Sequence, residues 1–249
     1  SESAENRIEL LSAGCLSALC ENLGMSDDSA VSHGLGVMLR LCESDFISVT
    51  HIKDAIDSNV GVSLISALDT EDTHVQRLSV LCILTLRRRL HKVASGDDKT
   101  AKALLERFDL ELRQLGAFPK AISLCETEDA ALRWDVLNLI TFVAEEEINQ
   151  ATLREAGLVG GCNLLLRSGD RNCIGPTLEL LKNMAAVSTT FRQAVASNIS
   201  LASVLASFSR DKKSDFKKPA LEVLKRVTGD AQSKHMLREA LSQAKKTTN

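Results

Sequence analysis

The chain has 249 residues, 44% of them hydrophobic and 25% charged, with a formal charge of −3. That is length enough for a sizeable core, and the near-neutral balance gives no electrostatic case for nucleic acid or a membrane surface as partner. The longest apolar runs fall far below the ~18 residues of a membrane span. Seven scattered cysteines with no CxxC pair read as reduced thiols of a cytoplasmic protein, with the nucleus as the other compartment that fits.

Residues 6–23 open as a helical segment with Gly14 inside it. Ser26, Asp27, Asp28 and Ser29 are N-cap candidates for the next segment, 31–42, where Val37, Met38, Leu41 and Cys42 share a face. Gly34 and Gly36 weaken that helix by up to about 1 kcal/mol each and offer a close helix crossing. A second unit follows over 45–90. Asn59 stands where Gly14 stood, a short apolar helix spans 60–68, and a long helix spans 74–90 and ends in Arg87-Arg88-Arg89. Asparagine is the second choice after glycine for a left-handed helix terminus.

Residues 91–109 break the pattern. The polar stretch 95–98 marks a loop and 101–114 returns to helix, so the insertion is either a mobile loop or an extended leading helix. Beyond it one unit is written almost twice. Arg113-Gln114-Leu115-Gly116 and Arg154-Glu155-Ala156-Gly157 stand 41 residues apart, and Asn198 lies another 41 on. Each mark is followed by a short apolar segment, a polar turn and a longer amphipathic segment. A period near 40 with that grammar predicts a helical repeat array in which each unit packs on its neighbours. The expected repeats are 6–44, 45–90, 110–147, 148–188 and 189–229, forming one domain over 1–249. The loop 209–215 is charged and exposed, a polar capping helix covers 230–249, and the last residues, from 245, fray. The apolar residues at the start, Ile8, Leu10, Leu11 and Leu16, lack a polar cap, so the chain is expected to be the C-terminal part of a longer protein.

The segments REAGLVGGCNLLL and RQLGAFPKAISLC resemble the passage from first to second helix of armadillo repeats, and RWDVLNLITFVA and LELLKNMAAV resemble the third helix. The resemblance covers residues 6–229. It implies an all-α, right-handed superhelical solenoid of about five three-helix repeats plus a C-terminal capping helix, with HEAT repeats as a close alternative. It also implies a concave groove, lined by the third helices, that binds other proteins.

Trp134 and Asn138 lie i, i+4 on one helical face. In nuclear-import armadillo proteins such a pair recurs along the groove, the Asn holding a peptide backbone and the Trp stacking on lysine stems. The same slots hold Gly36/Arg40, Leu81/Thr85, Glu179/Asn183 and Glu222/Arg226, so one slot of five is complete and a nuclear-import adaptor is the weaker reading. Trp134 also reads as a tryptophan packed at a repeat junction. The candidate groove residues are Arg40, Arg77, Arg133, Trp134, Asn138, Glu179, Asn183 and Arg226, mixed in charge. Arg87, Arg88 and Arg89 are candidate contacts for an acidic peptide or phosphate; the competing reading is dipole complementarity at a helix end.

The five histidines make no paired metal-ligand spacing, and no HExxH, phosphate-binding or GxSxG motif occurs. The expected function is a non-catalytic scaffold or adaptor, without cofactor, metal, nucleic acid or membrane, that binds an extended peptide or helix of another protein. The alternative, from fold analogy alone, is a chaperone cofactor or assembly factor for a chaperone or a cytoskeletal or motor-protein client.

Overall fold

A computed structural model describes residues 2–23 and 27–247. Among them every regular element is helical, and the helices come in threes in chain order. The first repeat is α1 (Glu2–Ser12), α2 (Cys15–Leu23) and α3 (Asp28–Glu43). The second is α4 (Val49–Asp57), α5 (Val60–Leu68) and α6 (Thr73–Ala94). The third is α7 (Lys99–Gln114), α8 (Ala117–Ser123, followed by a 3-10 turn) and α9 (Ala130–Val143). The fourth is α10 (Glu147–Glu155), α11 (Leu158–Arg167) and α12 (Arg171–Val187). The fifth is α13 (Thr189–Ser197), α14 (Ile199–Arg210) and α15 (Lys217–Val227). A last helix, α16 (Ala231–Thr247), follows.

Two local devices make the triplet. The corner between first and second helices turns on one left-handed residue: Gly14, Gly116 and Gly157 have positive φ, and Asn59 sits at φ 58°. A side chain in that region is strained unless it is short and polar. The third helices of the first four repeats start on aspartates, whereas α15 follows Phe216 without a side-chain cap. The Asp27 carboxylate accepts from Ala30 N at 2.9 Å, Asp72 from His74 N at 2.7 Å, Asp129 from Ala131 N at 2.8 Å, and Asp170 from Asn172 N at 3.0 Å. Each satisfies a backbone donor that a helix start leaves without an intrahelical partner. Of the cap candidates in the first repeat, Ser26 lies outside the described residues.

The fifth repeat departs from this pattern. Asn198 is extended (φ −79°, ψ 100°) rather than left-handed, and its side chain accepts from Leu201 N to cap α14. The asparagine at the repeat mark therefore makes the corner by capping.

The insertion resolves into helix. α6 runs four residues past Leu90 to Ala94, and Asp98 then caps α7, 16 residues long where α4 has 9. The extended-helix alternative holds. Residues 245–247 remain helical in α16, against the expected fraying, and 248–249 lie outside the described residues. α16 buries Ser233, Leu237 and Ala240 and exposes Lys234, His235, Arg238 and Glu239.

The chain forms two compact units, Ser1–Ala121 and Ile122–Asn249. In the first, α3 packs on α6, and α6 packs on α5 and α7, around Leu35, Met38, Val80, Ile83 and Leu86. Gly34 makes the α2–α3 approach possible, since a Cβ there would stand 2.7 Å from Leu23 Cδ2. Gly36 has no such role: a Cβ there meets nothing within 4 Å. In the second unit, α12 packs on α9 and α15, α11 on α14, and α16 on α13 and α14, around Leu132, Leu137, Leu181, Phe191, Leu205 and Val223.

Candidate functional site

The arginine run divides among three environments. Arg87 is fully buried. Its Nε donates to Asp109 Oδ1 at 2.8 Å and its Nη2 to Asp109 Oδ2 at 3.0 Å. It is a core ion pair joining α6 to α7, and its candidacy as a contact for an acidic partner is withdrawn. Arg89 donates from Nε to the Cys42 carbonyl at 3.1 Å and from Nη2 to the Glu43 carbonyl. It satisfies acceptors that the C-terminus of α3 leaves open. Arg88 alone of the three is exposed. The dipole reading also changes, because the last turn of α6 holds His91 and Lys92 instead.

The groove candidates fare unequally. Arg133 is held inside: its side chain is 13% exposed, its Nη1 donates to the Thr127 carbonyl at 2.9 Å, and its Nη2 lies 3.8 Å from Asp170 Oδ2. It ties α9 to the start of α12 and is not a groove contact. Trp134 is 38% exposed, and Asn138, one turn on, is half-buried. Glu179 and Asn183 on α12 and Arg226 on α15 are exposed. Lys182 Nζ lies 2.6 Å from Glu179 and 4.0 Å from Glu222, a solvated chain of charges that contributes little stability. In the first unit Arg40 is exposed and Arg77 half-buried.

Between α12 and α15 lies a cavity of about 530 Å³ walled by Lys182, Arg192, Glu222, Lys225 and Arg226. Arg192, which the repeat grammar did not single out, reaches it from α13. Its Nε donates to Asp230 at 3.0 Å and its Nη1 to the Ala185 carbonyl at 3.0 Å. That placement depends on how two repeats pack, so no single helix pattern could announce it.

No family model matches the chain, and no curated protein matches it. Among solved structures it is similar to a designed armadillo repeat protein in complex with the peptide (KR)4, at 16% identity over 90% of this chain and 86% of that one, TM-score 0.67. It is also similar to computationally designed armadillo repeat proteins for modular peptide recognition, at 17% identity over 89% and 86%, TM-score 0.67. An engineered protein matches at 16% identity over 95% of this chain and 54% of that one, TM-score 0.69. The fold is an armadillo-like helical repeat.

In the armadillo-like frame the paired slots of the third helices all reach solvent. Trp134, Glu179, Asn183, Glu222, Arg226 and Arg40 are exposed, while Gly36, Leu81, Thr85 and Asn138 are half-buried. The opposite faces of the same helices make the core. Six of the seven cysteines are buried; Cys15 is half-buried. Burial pushes the Cys20, Cys42 and Cys125 thiols up to about 12 and Cys173 up to about 11. A thiol held neutral in this way is a poor nucleophile. Among the described residues no group of three His, Cys, Asp or Glu side chains is placed to hold a metal. No described helix is long and apolar enough to cross a membrane.

Proposed function

We propose that the armadillo-like chain is a non-catalytic interaction module whose third helices hold an extended segment of a partner protein, in the cytoplasm or nucleus. The carrying observation is the pair of carboxamides Asn138 and Asn183, solvent-accessible on the adjacent helices α9 and α12. A carboxamide offers two donors and an acceptor at once. It therefore suits the peptide backbone of a passing strand whatever its side chains. Trp134, one turn before Asn138, adds a flat surface for an aliphatic stem or a cation. The mixed signs of Glu179, Lys182, Glu222 and Arg226 favour a partner selected by charge pattern rather than by bulk charge. The solved neighbour holding the peptide (KR)4 supports a peptide ligand for this architecture. The compartment rests on the seven free thiols, which suit reducing surroundings.

The test compares the proteins captured from cells by the chain and by its Asn138→Ala/Asn183→Ala variant, with both melts recorded. A defined subset of partners drops out while the melting temperature holds. An unchanged partner set removes the α9–α12 face as the working surface.

A further inference from the structure

The first unit contains a cavity of about 890 Å³ between α1, α3 and α6. Binding pockets for side chains and small ligands span roughly 300–1,000 Å³. Its apolar wall includes Leu10 and Val37, each 41% exposed, together with Leu78. Its rim carries Arg7 and Arg40, the imidazoles of His33 and His74, and a single carboxylate, Glu43. Large apolar side chains left this open inside a concavity favour a partner that covers them.

Gly36 explains why the space is there. It lies on α3 at the slot that Trp134 fills on α9. A Cβ at Gly36 would meet nothing within 4 Å, whereas Gly34, two residues before it, is packed against Leu23. Gly34 therefore serves helix packing, and Gly36 keeps a volume empty. In a helix a glycine costs about 1 kcal/mol relative to alanine, and here no crossing compensates for it.

We propose that this cavity binds an aromatic or large aliphatic side chain carried on an acidic peptide segment of a partner protein. The apolar wall takes the anchor, and Arg40 takes a flanking carboxylate through charge-assisted hydrogen bonds, with the positive charge of Arg7 on the same rim. The proposal rests on reading the third helices as the binding surfaces, and it needs only the first unit. A buried anchor with a charged rim is the arrangement in which a few residues carry most of the affinity.

The probe is a fluorescein-labelled heptapeptide, Asp-Glu-Glu-Phe-Glu-Asp-Glu, titrated by anisotropy into the full chain. Its companions replace Phe with Ala, or every acid with Lys. The protein variants are Gly36→Trp, which fills the cavity, Arg40→Glu, and Asn138→Ala/Asn183→Ala in the other unit. The parent peptide binds saturably. Loss of the Phe ring weakens it by at least about tenfold, the scale set by burying one such side chain, and the Lys peptide does not bind. Gly36→Trp and Arg40→Glu each lose at least about tenfold with helix content by circular dichroism unchanged, and Asn138→Ala/Asn183→Ala binds as the parent does. Absence of saturable binding to the parent overturns the proposal, as does full affinity in Gly36→Trp. Loss only in Asn138→Ala/Asn183→Ala sinks the cavity while leaving the third-helix reading in place. A parent chain that self-associates, and is made monomeric by Gly36→Trp, assigns the cavity to a second copy and overturns the partner peptide.

Discussion

Arg87 and Asp109 meet in the core of the first unit, guanidinium to carboxylate in a two-pronged pair, with side chains 0% and 5% exposed. The pair joins α6 to α7, the two helices that the insertion lengthens. A buried pair of this geometry compensates its own desolvation, and the loss of one partner leaves the other charged in an apolar place. Arg87→Ala should therefore cost about 3–5 kcal/mol, and Arg87→Met with Asp109→Leu should recover most of that. Urea midpoints followed by circular dichroism measure both. A loss under about 1 kcal/mol for Arg87→Ala would equate the pair with a surface one.

Glu111 of α7 lies against the start of a helix of the preceding repeat. Asn59 in its left-handed conformation makes no side-chain cap at the start of α5. The Glu111 carboxylate instead lies over Gly61 in the first turn of that helix, where an added Cβ would collide with it. Burial raises the pKa of Glu111, opposed by the charge of Arg107 and by the Gly61 N–H. With the folded value above the unfolded one, the ionised carboxylate costs stability at neutral pH. That cost disappears as the pH falls through the folded value to the ordinary 4.5. Glu111→Gln should thus gain stability relative to the parent at pH 7, and the difference should shrink steadily toward pH 4.5. Paired denaturant titrations across that range read it; a pH-independent difference contradicts the assignment.

Asn59 tests the corner. Its φ of 58° suits glycine better than any residue with a Cβ. Asn59→Gly should match or exceed the parent in thermal stability. Asn59→Ala should lose about 1 kcal/mol, from the left-handed penalty for an L-residue. Equal melts for the two variants would mean that the corner relaxes.

The aspartate caps should not be equivalent. Asp129→Ala should cost about 0.5–2 kcal/mol, the usual range for an N-cap. Asp170→Ala should cost more, because Asp170 also lies 3.8 Å from the nearly buried Arg133. The difference closes in an Arg133→Met background if that ion pair is what separates them. A double-mutant cycle measures the coupling.

Backbone chemistry confined to one repeat was legible from residue order. The left-handed marks at Gly14, Asn59, Gly116 and Gly157 and the long third helices can be read within a window of a few turns, because φ preference and hydrophobic period act locally, and the 41-residue spacing is the repetition of those local signals. Asn198 shows the edge of that legibility: an asparagine satisfies either a left-handed corner or a cap, and only the packed repeat chose. The aspartates before α6, α9 and α12 carry an equally local signal, since an Asp ahead of an apolar helical run is an N-cap residue.

Packing between repeats assigned the charged and small residues. Arg87 and Arg88 are neighbours in the chain with opposite fates, since a 100° step around α6 separates the face that meets α7 from the face that meets water. Gly34 and Gly36 are the same residue two positions apart, one closed by Leu23 and one open to a cavity. Sequence set where each helix begins, turns and ends, because those choices are made by atoms within a few bonds. The partner of each charge lies 22 residues away for Arg87 and 37 for Arg133, so only the tertiary fold could decide which charges were spent inside and which were left for a partner.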